Sequence, residues 1–194
     1  MEREVMWVPW QGHGLEHLRL VARDHGIEAD AVIIGIRNGE AFRAHYEIHC
    51  DAHWRVRKLR VALLGPSGAG QPEITLLSNG EGSWTTGSGD RIAAIEGCVD
   101  VDISVTPFTN TLPIRRLGLK PGGSADLHIA YIDVEAPELR LEPVRQRYTC
   151  LETNPSGAFY RFDALPGGFT AKLPIDADGL VTDYPGLFRR IWSK

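Results

Sequence analysis

Thr106-Pro-Phe-Thr-Asn-Thr-Leu-Pro-Ile-Arg-Arg-Leu117 breaks a pattern that runs through most of the chain. Just before it, Cys98 to Val105 alternates without interruption. Val99, Val101, Ile103 and Val105 share one face, and Cys98, Asp100, Asp102 and Ser104 share the other. Period two marks a strand, because successive side chains of an extended chain point to opposite sides. From Pro107 the period changes. Proline lacks an N–H donor and clashes inside a helix, so it fits only the first turn. Pro107 and Pro113 therefore start the regular helix with Asn110 or Thr111 as its cap and end it at Leu117. Gly118 suits the left-handed stop position. Arg115 and Arg116 fall in the last turn, where cations favour the helix dipole. The reading is one short helix, about residues 108–118, in an otherwise β chain.

Strands are expected on both sides of it. Leu15 to Ala22 is an early strand of mixed faces. Ala29 to Arg37 runs into Asn38-Gly39, the dipeptide best suited to a tight hairpin. Phe42 to Cys50 returns, with Phe42, Ala44, Tyr46, Ile48 and Cys50 on one face. Trp54 to Leu64 and Glu73 to Leu77 follow, with Pro66 to Gly70 turning the chain between them. Asn79-Gly80 marks a second hairpin, and Gly82 to Thr85 returns from it. Beyond the helix, strands are expected at Ala125–Val134, Leu139–Leu151, Phe159–Asp163, Gly168–Ile175 and Leu180–Tyr184. Asp178-Gly179 is a third hairpin turn, and Leu187 to Trp192 is open to helix or strand. No linker or low-complexity tract interrupts the 194 residues, so residues 1–194 are read as a single domain.

Composition agrees with many short strands. The 21 glycines and 12 prolines exceed average shares of about 7% and about 5% and demand many turns. Hydrophobic residues make up 43%, enough for a real core. The formal charge of −4 argues against a broad basic surface for nucleic acid. No run of about 18 apolar residues exists, so no membrane span is expected. Met1-Glu2-Arg3-Glu4-Val5 lacks the basic start and apolar stretch of a signal peptide, which points to a cytoplasmic location. Cys50, Cys98 and Cys150 are an odd number at wide spacing. They read as buried free thiols, not as a disulfide framework or zinc site.

Several motifs tempt and fail. Gly65-Pro-Ser-Gly-Ala-Gly70 follows a strand, where a phosphate loop belongs. Gln71 and Pro72 stand where Lys and Ser or Thr are required, and the next segment reads as strand, so the motif reads as a glycine-rich turn. His45, His49 and His53 recur every four residues. In a strand, residues four apart are separated by about 13 Å, too far to share one metal. Ser67, Ser83, Ser88, Ser124 and Ser156 all lack the flanking glycines of a nucleophile elbow. No metal or cofactor is expected.

One constellation is harder to dismiss. Asp100 and Asp102 share a strand face just before the helix, and Arg115 and Arg116 close the helix. Arg145 and Arg147 share a face of a later strand, with Tyr148 on the other. Arg55 and Arg57 repeat the pattern earlier. If the helix lies inside the sheet, some of these arginines are partly buried. They then need carboxylates, and Asp100, Asp102 or Asp133 can supply them bidentately. Two readings stay open: an internal ion-pair network that fixes the helix, and an anion or headgroup site with unpaired donors. The candidate ligand-binding set is Arg115, Arg116, Arg145, Arg147, Tyr148, Asp100, Asp102 and Asn110.

The run from Cys98 to Leu117 resembles the signature of a bacterial family named putative glycolipid-binding, formerly a domain of unknown function. Gly14-Leu15-Glu16-His17-Leu18, Cys50-Asp51 with Trp54-Arg55-Val56, Val144-Arg145-Gln146-Arg147-Tyr148 and Asp183-Tyr184-Pro185-Gly186-Leu187 agree with it. The resemblance implies a spiral β-roll, a many-stranded antiparallel sheet wrapped around a single short helix. It also implies a homodimer and a relation to bacterial carriers of lipids and lipoproteins. If Phe108, Leu112, Ile114 and Leu117 fill the interior, little room remains there for an acyl chain. A ligand would then sit at a mouth of the roll or at the dimer interface.

The leading functional expectation is therefore a non-catalytic binder of a glycolipid or similar amphiphile. One alternative is a small hydrolase or transferase using Asp100, Asp102, Arg115, Arg147 and Tyr148. It requires a carboxylate of raised pKa beside open space. Another is a dimeric interaction module whose exposed tryptophans (Trp7, Trp10 or Trp192) form an apolar patch.

Overall fold

A computed structural model describes residues 1–65 and 71–194. The turn expected at Pro66–Gly70, with Ser67 and most of the glycine-rich motif, lies outside the described residues.

Alternation decides which side chains of the first sheet are buried. In β1 (Glu2–Pro9) these are Val5 and Trp7, and in β2 (Gly14–Arg23) they include Glu16, Leu18 and Leu20. In β3 (Gly26–Arg37) they are Ile27, Ala29, Ala31 and Ile33, and in β4 (Glu40–Cys50) Ala44, Tyr46, Ile48 and Cys50. Asn38 and Gly39, at φ 54° and 84°, close the β3–β4 hairpin as the sequence predicts. The antiparallel sheet continues through β5 (Val56–Leu63), β6 (Glu73–Ser78) and β7 (Trp84–Thr86). Its other edge is extended from β1 by β14 (Phe188–Ser193) and β13 (Asp183–Tyr184), making nine strands.

The second sheet has five strands in the order β12-β11-β10-β9-β8. They are β8 (Asp100–Ile103), β9 (Ser124–Glu135), β10 (Glu138–Asn154), β11 (Gly157–Leu165) and β12 (Thr170–Asp176). The β8–β9 pair is parallel, with Asp100 opposite Ile129. This departs from a wholly antiparallel sheet for a simple reason. Parallel neighbours need a long crossover, and the helical segment between β8 and β9 supplies it. A bridge between Ile175 and Val181 links β12 to the chain entering β13, and the described strands do not close into a barrel. The indole Nε1 of Trp7 donates to the Val181 carbonyl at 2.8 Å and ties the same seam.

The helix forms as the prolines dictate. A 3-10 turn at Phe108–Asn110 runs directly into α1 (Thr111–Leu117), and Gly118 stops it at φ 54°. Asn110 is already helical and makes no side-chain cap; its Nδ2 donates instead to the Pro107 carbonyl at 3.1 Å. Phe108, Leu112 and Ile114 are buried and Leu117 is half-buried. Phe108 and Leu112 join the larger core under the nine-stranded sheet, and Ile114 joins a smaller core with Tyr148, Phe162 and Leu173. The architecture is mainly β around one short α-helix.

Three elements differ from the sequence expectations, and a fourth, open to helix or strand in the sequence, is decided by its pairing. β1 lies in a segment to which no strand was assigned. The strand expected at Leu180–Tyr184 shrinks to Asp183–Tyr184, because Leu180 and Val181 are drawn into the seam. The Leu187–Trp192 end is extended, since it pairs with β1. Trp54 is not in a strand; it sits at φ 63° in a turn where the Asp51 carboxylate accepts from the backbone N–H groups of His53 and Arg55.

Candidate functional site

The two aspartates before the helix meet different partners. Asp100 is fully buried, and Arg116 grips it bidentately. Nε donates to Oδ1 at 3.0 Å, and Nη2 donates to Oδ2 at 2.5 Å. Burial pushes the Asp100 carboxyl up and the guanidinium opposes that push. This is a closed internal ion pair that anchors the helix's last turn to β8.

Among the described residues, Asp102 has no cation as a hydrogen-bond partner. Its Oδ1 accepts from Thr109 Oγ1 at 2.6 Å, and its Oδ2 accepts from Gln146 Nε2 at 2.7 Å. Burial pushes its carboxyl up, and these neutral donors only partly counter it. The Tyr148 hydroxyl lies 2.9 Å from Asn110 Oδ1 and 3.3 Å from Gln146 Oε1. Its single proton serves the nearer acceptor. Burial and the nearby Asp102 raise Tyr148 well above the ordinary tyrosine range.

This network floors a cleft of about 350 Å³. Asp102, Asn110, Gln146 and Tyr131 give it polar groups, and Phe162, Phe169, Tyr184, Leu187 and Phe188 give it apolar walls. The rings form a connected cluster, with Phe162 6.0 Å from Phe169 and 6.1 Å from Tyr184. Burial, with Asp102 and Asp133 nearby, lifts Tyr131 to about 12.

A second cleft of about 300 Å³ shares Ser104, Leu187 and Phe188 with the first. Trp7, Ile33, Phe42 and Glu16 also line it. Glu16 is 3% exposed. Its Oε1 accepts from Tyr46 Oη at 2.6 Å and Thr106 Oγ1 at 2.7 Å, while its Oε2 is buried without a partner. Burial raises the carboxyl from its ordinary 4.5 to about 7, against the pull of the two hydroxyls.

The other sequence candidates scatter. Arg115 is exposed, not inward as a helix wrapped by sheet suggested; its guanidinium lies 5.2 Å from the Trp54 ring centre. Adjacent helical residues are about 100° apart, so Arg115 and Arg116 point to different sides of the helix. Arg147 reaches Asp126 with Nη2 to Oδ2 at 2.8 Å, and Arg145 lies 3.6 Å from the same oxygen. Both are on the open side of β10, although Arg145 also reaches the rim of the first cleft. Arg55 and Arg57 are exposed, and Asp133 pairs with Arg37 at 3.0 Å instead of with the helix. His45 contacts Asp30 at 2.9 Å on the outer sheet face, with Glu47 close by. His49 and His53 do not join that cluster.

Sequence reasoning brought Asp100, Asp102, Asn110, Arg116 and Tyr148 into one neighbourhood but missed Glu16. A signal existed, because Glu16 stands in phase with Leu18 and Leu20 on the buried face of β2.

A wrapped pair of sheets around one helix, with buried carboxyl groups beside aromatic clefts, defines a β-roll with adjoining recesses. The family model described as "Putative glycolipid-binding" matches residues 4–190, and the chain belongs to that family. The chain is also similar to the crystal structure of a DUF1089 family protein from Pseudomonas aeruginosa. The two share 36% identity and a TM-score of 0.79 over 93% of this chain and 94% of that one. No curated protein matches the chain. Among the described residues, no helix is long and apolar enough to cross a membrane.

Proposed function

We propose that the protein binds a glycolipid or similar amphiphile without transforming it. The adjoining clefts carry this reading. They meet at Ser104, Leu187 and Phe188, and each sets an apolar wall beside a buried carboxyl group. An amphiphile needs that combination: aromatic and aliphatic surface for its chain, and a few fixed polar groups for its head. Phe108 and Leu112 fill the interior, so the ligand belongs at the mouth of the roll. The family name supports the same class of ligand.

Hydrolysis or transfer would have to work through Asp102, since Arg116 closes off Asp100. Thr109 and Gln146 fix both Asp102 oxygens in place, an arrangement suited to holding a ligand's polar group at the cleft. Native mass spectrometry of protein purified from cells, with thermal shifts across a lipid panel, tests the proposal. A co-purified amphiphile and a stabilising lipid are expected; neither appearing across several preparations sinks it.

A homodimer is the second reading, favoured by an apolar stripe on the outer face of β3. Val32, Ile34 and Ile36 are 44%, 48% and 50% exposed at alternate positions. Trp10 and Trp192 are also exposed, whereas Trp7 is buried and cannot contribute. Light scattering on the wild type and Ile34→Glu tests it, with a dimer expected to become a monomer.

A further inference from the structure

We infer that Glu16 forms a hydroxyl-recognising subsite, in which its free carboxyl oxygen hydrogen-bonds one hydroxyl of an apolar ligand held between Trp7, Ile33, Phe42 and Phe188. The inference rests on the amphiphile reading for the kind of ligand, but it names the chemistry of the polar contact and a cleft away from Asp102.

Register explains the placement. Trp7, Glu16 and Ile33 stand opposite one another on β1, β2 and β3, so they form one rung across the inner sheet face. A carboxyl between an indole and an isoleucine is out of place unless something needs it. Its Oε1 is fully used by Tyr46 and Thr106. Thr106 is tied in turn to the backbone N–H of Phe108 at 3.0 Å, which fixes this side of the group. Oε2 is left with no partner, and a buried oxygen without one is costly. Glu16 is among the residues lining the cleft, so a small shift of its side chain would present that oxygen to a ligand group there.

The neighbours select the ligand chemistry. Tyr46 faces Glu16 from β4 and Thr106 from the segment leading into the helix; both are neutral donors. His13 and Arg37 also line the cleft. Arg37 is held by Asp133 at 3.0 Å, Ser104 at 2.6 Å and the Val134 carbonyl at 3.0 Å. An anionic head would therefore meet an acid with Arg37 already engaged, and of the other residues lining the cleft only His13 could carry a positive charge. An amine would suit only the ionised acid. With the carboxyl poised at about 7, both protonation states occur near neutrality. A hydroxyl serves both: it donates to the carboxylate and accepts from the acid.

The test compares 1-octanol with 1-methoxyoctane, an ether that only accepts, by calorimetry at pH 5.5 and pH 8.5. In the wild type, octanol binds at both pH values. The ether binds comparably at pH 5.5 and about tenfold more weakly at pH 8.5, equivalent to about 1.4 kcal/mol. In Glu16→Gln, which keeps the carbonyl for Tyr46 and Thr106, the preference for octanol at pH 8.5 disappears. Equal binding of the two probes to wild type at pH 8.5, no binding of either, or a preference that survives in Glu16→Gln overturns the inference. If the variant does not fold, the carboxyl carbon-13 resonance of Glu16 in the wild type decides: it moves on adding octanol, and an unmoved signal overturns the inference. A co-purified lipid without this selectivity would sink the Glu16 subsite alone. Octanol selectivity without any lipid would sink only the broader amphiphile reading.

Discussion

Asp100 and Asp102 stand two residues apart on one face of β8, and Glu16 reaches the next stretch of chain from β2. All three acids lose water, yet only Asp100 receives a guanidinium in exchange. Asp102 receives two neutral donors, and Glu16 receives two on a single oxygen. Charge that is paired can hold a fold together. Charge that is only hydrogen-bonded stays costly to ionise and available to a ligand. The protein thus separates a structural carboxylate from acids at the edges of clefts, within one short segment and the strand beside it.

The sharpest way to break this contrast is Arg116→Met. It leaves Asp100 buried without a partner and should cost about 3–5 kcal/mol, read from urea unfolding at pH 7. Adding Asp100→Asn should recover part of the loss. A variant as stable as wild type would remove the structural assignment of that pair.

Glu16→Gln has the next largest effect, and it depends on pH. The folded carboxyl titrates at about 7, above its ordinary 4.5. Between those values the folded state binds more protons than the unfolded chain. Wild-type stability therefore falls as pH rises from about 4.5 to about 7, then levels off. The glutamine lacks this loss, so relative to wild type it should gain about 3 kcal/mol between pH 4.5 and pH 8. Melting curves across that range would show parallel profiles if the acid were not buried as described.

Tyr148→Phe removes the donor to Asn110 Oδ1 while keeping the ring against Phe162 at 5.4 Å. A loss of about 1–2 kcal/mol is expected in thermal unfolding, the cost of one orphaned buried acceptor. Arg147→Ala sits at the bottom of the scale. Its pair with Asp126 is on the surface, so the melting temperature should not move measurably.

Much of this contrast was legible in the residues. Asp100 and Asp102 could be placed on one face by alternation, and Arg116 could be named as a partner. Which aspartate it would choose could not be read, because two residues along a strand span only about 6.6 Å. Arg115 shows the same limit: it differs from Arg116 by one position and ends exposed over Trp54. Glu16 stands in phase with Leu18 and Leu20, but that Trp7 and Ile33 flank it follows only from the pairing of β2 with β1 and β3. The aromatic cleft needed Phe162, Phe169, Tyr184 and Phe188, drawn from both sides of the sheet seam.

By itself, but for β1 and the extended form of β14, the sequence determined most of the strands, the hairpin turns at Asn38-Gly39, Asn79-Gly80 and Asp178-Gly179, and the single helix. Those depend on local alternation, on glycine's access to positive φ and on proline's missing donor. Only the tertiary structure decided that the sheets number two, that β8 and β9 run parallel, and which buried acid keeps a free oxygen. Those outcomes depend on contacts between distant segments, where register and burial, not local pattern, set each group's partner.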